Sequence, residues 1–81
     1  MRYTINYNTG EGNETIETED MISLKALADE GITYTQQVVT IDNENGTEVS
    51  RREWYSNLDG IEECDDPIQF GSFGYYSDWN D

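Results

Sequence analysis

Apolar and polar residues alternate at the start of the chain. Tyr3, Ile5 and Tyr7 occupy every second position, with polar residues between them, and this pattern predicts a half-buried strand whose aromatic face points inward. Residues 9–13 have the composition of a turn. Residues 14–17 contain one apolar side chain, and we predict that they return as a short edge strand whose acids discourage further pairing.

A helix pattern follows this predicted hairpin. Thr18 is the predicted N-cap, and the acids after it stand where the positive end of the helix dipole favours them. Gly31 is the predicted end of the helix. Four apolar residues recur at spacings of three and four, and we expect them to form the stripe that covers the sheet: Met21, Leu24, Leu27 and Ala28.

Residues 32–41 are rich in β-forming residues, but their alternation fails at Gln36 and Gln37. Either both faces of this strand are partly covered, or a bulge at the glutamines shifts the register and returns Val39 and Ile41 to the inner side. We predict the bulge. Residues 42–46 form a predicted hairpin loop with Asn-Gly as its turn signal, and residues 47–55 return as a strand.

The composition changes near residue 57, where glycine and proline begin to interrupt any long helix or strand. The apolar residues of 58–73 are too many for a free tail, so we expect this part to fold back on the sheet, with a short strand around 68–73. Residues 75–81 are the better candidate for a free recognition element.

These elements predict one small domain over residues 1–81, made of a hairpin–helix–hairpin core (1–56) and an acidic aromatic C-terminal segment (57–81). The predicted fold is α+β. It has an antiparallel sheet of about four strands, one covering helix, and a C-terminal segment that packs back on the sheet.

Charge narrows the class of partner. Eighteen Asp and Glu against four Lys and Arg give a formal net charge of -14, which argues against nucleic acid or an anionic membrane as a direct partner and favours a basic surface. A compact chain of this length is about 30 Å across, a length over which duplex DNA presents roughly 18 phosphates. No basic-then-apolar leader and no long apolar stretch occurs, so we predict a soluble, cytoplasmic protein and expect a monomer.

The residue types that catalysis and metal binding need are scarce. The chain has no His to act as a base or zinc ligand, and Cys64 is its single cysteine, which we expect to be inert. The loop at 42–46 begins like a calcium loop, but its glycine is in the wrong place and the required Glu is missing. We predict that the protein is not an enzyme and needs no cofactor or metal, and a divalent-cation site in the acidic segment is a weaker alternative.

The candidate partner-binding residues combine acids with aromatic rings. Tyr and Trp anchor many protein interfaces, and charge complementarity sets encounter rate and selectivity. Two other interpretations stay open: the acids form a solvated loop, and the rings complete a small core. The candidates are Asp42, Glu44, Asp59, Glu62, Glu63, Asp65, Asp66, Tyr75, Tyr76, Asp78 and Trp79. Arg51 and Arg52 are expected to pair with carboxylates of the same chain.

In its small size, strong acidity, scarcity of cysteine and lack of catalytic motifs, the chain resembles the anti-CRISPR proteins and the DNA-mimic antirestriction proteins of phages and mobile elements. The resemblance covers the whole chain in composition only, so it assigns no residue a role. It implies an inhibitor in a bacterial host whose carboxylates replace phosphates and block a basic nucleic-acid-binding site of a nuclease, such as a Cas nuclease. The alternative is a small acidic interaction module that inhibits nothing.

Overall fold

The computed structural model describes residues 1–7, 12–34 and 36–81. These residues form one α-helix, a short 3-10 helix at Ile61–Glu63 and six strands. The sheet order is β2-β1-β3-β4-β6-β5, and all neighbouring strands are antiparallel. The α+β class is confirmed, but the described sheet has six strands where about four were predicted. The elements are β1 (Arg2–Tyr7), β2 (Gly12–Glu17), α1 (Met21–Glu30), β3 (Val38–Asp42), β4 (Glu48–Tyr55), β5 (Ile68–Phe70) and β6 (Gly74–Tyr76).

The first hairpin forms as its alternation predicts. β1 pairs with β2 from Arg2 opposite Glu17 to Tyr7 opposite Gly12. Ile5 and Tyr7 are buried on the inner face, because alternate side chains of a strand point to the same side. Most of the turn predicted at 9–13 lies outside the described residues.

α1 starts later than predicted. The N-cap is Asp20, whose carboxylate accepts hydrogen bonds from the Ile22 N–H at 3.0 Å and the Ser23 hydroxyl at 2.6 Å. The prediction of Thr18 as the cap is wrong, because its N–H donates to the Met1 carbonyl at 2.8 Å and so keeps this residue beside β1. The predicted end at Gly31 is confirmed.

The helix covers the inner face of the sheet with a narrower stripe than the sequence predicted. Leu24 and Ala28 are buried and Met21 is half-buried, whereas Leu27 is exposed. The Tyr7 hydroxyl donates to the Ala28 carbonyl at 3.0 Å. Gly31 packs so closely on the Tyr7 ring that a Cβ atom at residue 31 would overlap the hydroxyl, and this contact fixes the end of the helix on β1.

The strand predicted at 32–41 begins only at Val38. Gln37 has a φ of 67°, and the Val38 N–H donates to the Gln36 carbonyl at 2.8 Å, which closes a strained three-residue γ-turn. Val39 and Ile41 are buried as expected. The predicted bulge at the glutamines is wrong, because the chain turns there before the strand starts. The register shift of β3 falls instead at Ile41 and Asp42.

The end of the chain is part of the sheet. β6 pairs with β4, with Tyr76 opposite Trp54 and Tyr75 opposite Tyr55. Beyond β6, the Ser77 N–H donates to the Glu53 carbonyl at 2.9 Å, and Arg51 and Asn80 exchange two backbone hydrogen bonds of 3.1 and 2.8 Å. The expectation that residues 75–81 are free is therefore wrong, whereas the short strand expected around 68–73 forms as β5.

Candidate protein-binding surface

All four basic side chains bind carboxylates of the same chain, as predicted for Arg51 and Arg52. The shortest N–O distances are 3.9 Å for Arg2–Glu17, 2.7 Å for Lys25–Asp81, 3.3 Å for Arg51–Glu53 and 3.0 Å for Arg52–Asp29. The pairs of Arg2 and Arg51 are exposed on both sides, and exposed pairs contribute little stability. The pairs matter more for the charge of the surface, because a carboxylate beside each Lys or Arg offsets its positive charge.

Arg52 is the central member of a buried network that we call the Arg52 network. Its side chain is 1% exposed, and its guanidinium donates to both carboxylate oxygens of Asp29, at 3.0 and 3.1 Å. It also donates to the carbonyls of Asp66 and Ser77, both at 2.8 Å. The guanidinium lies 5.3 Å from the ring centroid of Trp79, whose indole N–H donates to Asp29 at 3.0 Å.

Three of the predicted partner-binding residues therefore serve the fold. The Trp79 indole is bonded to Asp29 and its ring faces Arg52, so Trp79 is no free anchor. The Asp66 carboxylate lies 3.5 Å from the Arg52 guanidinium, although its own side chain is 86% exposed. The Asp78 carboxylate accepts the backbone N–H groups of Asp65 and Asp66 at 2.8 and 2.6 Å.

These two backbone N–H groups, with a smaller effect from Arg52, hold the pKa of Asp78 below its usual value. A carboxyl whose pKa is lowered by folding stabilises the protein above the pKa of the unfolded chain, about 3.9, and this contribution disappears as the pH falls through the folded value. At neutral pH, the hydrogen bonds of ionised Asp78 to the preceding loop therefore make their full contribution to stability.

We expect Asp78→Asn to lower the free energy of unfolding by about 1–3 kcal/mol at pH 7, because an amide cannot accept both N–H groups as an ionised carboxylate does. The difference from the wild type should persist down to pH 5 and shrink below about pH 4. Urea titrations across this range measure it. Glu62→Gln removes one negative charge nearby and is the control, and a difference that grew on acidification would contradict the assignment.

Asp81, the last residue of the sequence, is bound to both the helix and the sheet. Its carboxylate accepts from the Lys25 ammonium at 2.7 and 2.8 Å and from the Ser50 hydroxyl at 2.6 Å. These two donors lower the pKa of Asp81. The acidic C-terminal residues thus bind donors of their own chain and are not a loose tail.

Two predicted anchors, Tyr75 and Tyr76, are buried at 4% and 0% exposure. The Tyr75 hydroxyl donates to the Asp59 carbonyl at 3.0 Å. The Tyr76 hydroxyl donates to the Thr33 carbonyl at 3.0 Å and accepts the Gln36 N–H at 2.6 Å. Neither ring is available to a partner in this structure, because each has its faces packed and its hydroxyl bonded.

Four more of the predicted acids belong to one loop, residues 59–66, that we call the acidic loop. Asp59, Glu62, Glu63 and Asp65 are exposed along it. Gly60 begins the short 3-10 helix at a φ of 85°, and the bonds to Asp78 and from the Tyr75 hydroxyl fix both ends of the loop. The dense acidic cluster noted in the sequence therefore lies on a loop whose backbone is hydrogen-bonded to Tyr75 of β6 and to Asp78, which follows β6.

Asp42 and Glu44 belong to a separate place. Asp42 is half-buried and accepts from the Asn6 amide at 2.9 Å, whereas Glu44 is exposed in the hairpin loop. Both line an open depression of about 740 Å³ together with Glu17. β4 starts just after this hairpin and ends just before the acidic loop, and eight residues of strand span ~24 Å. The structure does not bring these two acidic sites together.

A group of five aromatic rings, of which the sequence analysis selected only Tyr76, reaches the surface. Tyr34 lies 5.4 Å from Trp54 and 5.2 Å from Phe73, measured between ring centroids. Phe73 is 64% exposed and Tyr34 is 49% exposed. Phe70 and Tyr76 complete the group beneath them. We call these five rings the aromatic cluster.

One sequence signal marks Phe73. It stands in the four-residue stretch Gly71-Ser72-Phe73-Gly74, and a tight turn between two strands leaves its central side chains near solvent. Tyr34 gives no such signal, because its place in a β-rich run predicts a strand position. Its exposure follows from the γ-turn at Gln37, which only the structure reveals.

Residues 1–7, 12–34 and 36–81 hold no group of three His, Cys, Asp or Glu residues that could bind a metal ion. Over the same residues, no helix has the length and apolar character to cross a membrane.

The chain has no match among known protein families, curated proteins or solved structures.

Proposed function

We propose that this protein is an inhibitor that binds a basic, nucleic-acid-binding surface of a nuclease in the cytoplasm of a bacterial host. Its carboxylates take the place of phosphates, as in the anti-CRISPR and antirestriction proteins that it resembles in composition. The observation that carries the proposal is the pairing of every Lys and Arg within the chain. Each Lys and Arg side chain that a basic partner could meet therefore already has a carboxylate beside it.

The amount and spread of charge support this function. The molecule measures 36 × 25 × 19 Å, and 36 Å of duplex DNA carries about 21 phosphates, against a net charge of -14 here. The acidic loop contributes exposed carboxylates on a fixed backbone, which is the arrangement that electrostatic complementarity needs. Tyr75 and Tyr76 are buried, so the proposed contacts with the partner are carboxylates and not these two rings.

The acidic loop is the first surface to test. We expect the triple variant Glu62→Gln, Glu63→Gln, Asp65→Asn to bind a basic nuclease at least tenfold more weakly than the wild type, because it loses charge where the carboxylates are densest. The matched control is Glu14→Gln, Glu19→Gln, Glu30→Gln, which removes the same charge from exposed acids elsewhere. Calorimetry with a purified Cas or restriction nuclease measures the affinities.

The same assay at several salt concentrations tests phosphate replacement. Affinity should fall as salt rises, and DNA should compete with the protein. Equal binding to the free nuclease and to its DNA-saturated complex would contradict the proposal. A larger loss in the control triple than in the loop triple would move the contact away from the acidic loop.

The second candidate function is a non-inhibitory interaction module whose acidity serves solubility. The exposed rings of Tyr34 and Phe73 favour it, because large exposed apolar side chains mark protein contacts. This module would bind a neutral partner with little salt dependence, and it would leave nuclease activity unchanged.

A further inference from the structure

The aromatic cluster consists of two exposed rings that pack on three rings of the sheet. Tyr34 is its centre, because its ring contacts Trp54, Phe70 and Phe73 at centroid distances of 5.4, 6.2 and 5.2 Å. Trp54 and Phe70 in turn rest on buried Tyr76, at 5.0 and 5.9 Å. The two exposed rings therefore stand on three rings that belong to the sheet.

The loop that carries Tyr34 is held in place from below. The buried Tyr76 hydroxyl bonds to the Thr33 carbonyl and the Gln36 N–H. The Gln36 side chain, 5% exposed, accepts the Thr33 N–H at 2.9 Å and donates to the Gly31 carbonyl at 3.3 Å. These bonds hold Thr33 and Gln36 on the two sides of Tyr34, so a ligand on Tyr34 would not have to order them, which favours binding.

A strained residue adjoins the cluster. The positive φ of Gln37 is 67°, and its carbonyl accepts the Trp54 N–H at 2.8 Å. Backbone strain in a non-glycine residue often accompanies a functional surface. Here the strained turn lies just before β3, and its hydrogen bond joins it to Trp54, one ring of the cluster.

Charge decides what kind of group suits these rings. The chain carries a net charge of -14, and its four cations are all bound to its own carboxylates. A cation from outside is therefore attracted to the molecule as a whole, and aromatic faces bind cations directly. Arginine stacks on rings better than lysine does. The chain already contains one such contact, between Arg52 and Trp79 at 5.3 Å.

We propose that Tyr34 and Phe73 bind an arginine side chain of a basic protein partner. This inference rests on the proposed function for the identity of the partner, and it adds an aromatic contact to the carboxylate contacts. The guanidinium would lie against the exposed rings while the acids elsewhere on the surface meet further basic residues.

The test uses two short peptides of equal charge, one built from Arg and Gly and the other from Lys and Gly. In NMR titrations of the full chain, the arginine peptide should shift the Trp54 indole and Phe73 signals and bind more tightly than the lysine peptide. Tyr34→Ala with Phe73→Ala should weaken its binding about tenfold. Both residues are exposed, so the folded state should persist.

Tyr55→Ala is the matched control. Tyr55 is an exposed aromatic residue on the opposite face of β4 from Trp54, and its replacement should leave the affinity for the arginine peptide unchanged. Equal binding of both peptides, with shifts confined to the acidic loop, would overturn the arginine contact.

The nuclease assay separates this inference from the proposed function. If the acidic-loop triple weakens nuclease binding but the Tyr34 and Phe73 double variant does not, the arginine contact is wrong and the inhibitor proposal stands. If the arginine peptide binds the cluster but no basic nuclease binds the protein, the inhibitor proposal fails and the arginine contact stands.

Discussion

Arg52→Ala is expected to lower the free energy of unfolding by about 3–5 kcal/mol, the scale found for breaking buried ion pairs, because the Arg52 side chain is buried although Asp29 is partly exposed. The change leaves Asp29 without its guanidinium and removes donors from the carbonyls of Asp66 and Ser77. It also removes the cation that faces Trp79. A chain of this length is stable by roughly 4–12 kcal/mol, so the loss is a large part of the total.

The neighbouring arginine provides the control for Arg52. Arg51 lies one residue away, its side chain is 37% exposed, and it pairs with exposed Glu48 and Glu53. Arg51→Ala should therefore cost about 1 kcal/mol or less. Urea unfolding followed by tryptophan fluorescence measures both variants. Similar losses for the two variants would show that the Arg52 network does not hold the C-terminal residues to the helix.

Gly74→Ala is expected to cost about 2–5 kcal/mol, from overpacking and an unfavourable backbone conformation together. Gly74 has a φ of 155°, and a Cβ atom there would overlap the Tyr55 carbonyl and lie against the Trp54 ring. Both neighbours belong to β4. The methyl group would push β6 away from β4, so the environment of the Trp54 indole should change as well.

Gly46→Ala is the matched control for Gly74. Gly46 also has a positive φ, of 81°, but no atom lies within 4 Å of the position that its Cβ would take. Its replacement should cost only the backbone strain, about 1–2 kcal/mol. Thermal unfolding monitored by circular dichroism compares the two, and a larger loss at Gly46 than at Gly74 would rule out crowding against β4 as the dominant effect.

Both predictions concern how the C-terminal segment joins the core, and this is where sequence reasoning was weakest. The rings of Tyr75, Tyr76 and Trp79 were predicted as anchors for a partner, because many acids surround them. The structure instead places Tyr75 and Tyr76 in a strand beside β4, and it places Trp79 against Arg52. Pairing between residues twenty or more positions apart leaves no local pattern by which it could be predicted.

The reverse error occurred at the surface. The strongly apolar side chain of Phe73 predicts a structural role, yet Phe73 is exposed in the turn between β5 and β6. Tyr34 was placed in a strand because β-formers surround it, yet the chain turns at Gln37 before β3 begins. In both cases the residue type indicated burial, whereas the backbone path determined exposure.

The sequence by itself determined the local elements. Alternation predicted β1 and its inner face, apolar spacing predicted α1, and Gly31 predicted the end of this helix. Asn-Gly marked the hairpin before β4. These features arise from neighbouring residues, whose dihedral preferences and side-chain directions repeat at short intervals. The net charge and the lack of His are likewise fixed by composition.

Only the tertiary structure decided which carboxylates and aromatic rings bind other parts of the same chain and which stay exposed. Asp78 and Asp81 accept hydrogen bonds from donors in other parts of the chain, and Trp79 donates to Asp29 and faces Arg52. The acidic loop and the rings of Tyr34 and Phe73 remain exposed. The sequence does not distinguish a carboxylate or ring that binds within the chain from one that is exposed to a partner. Its role depends on what the fold places within hydrogen-bonding or packing distance, and that is set by the pairing of β4 with β6 and by the Arg52 network.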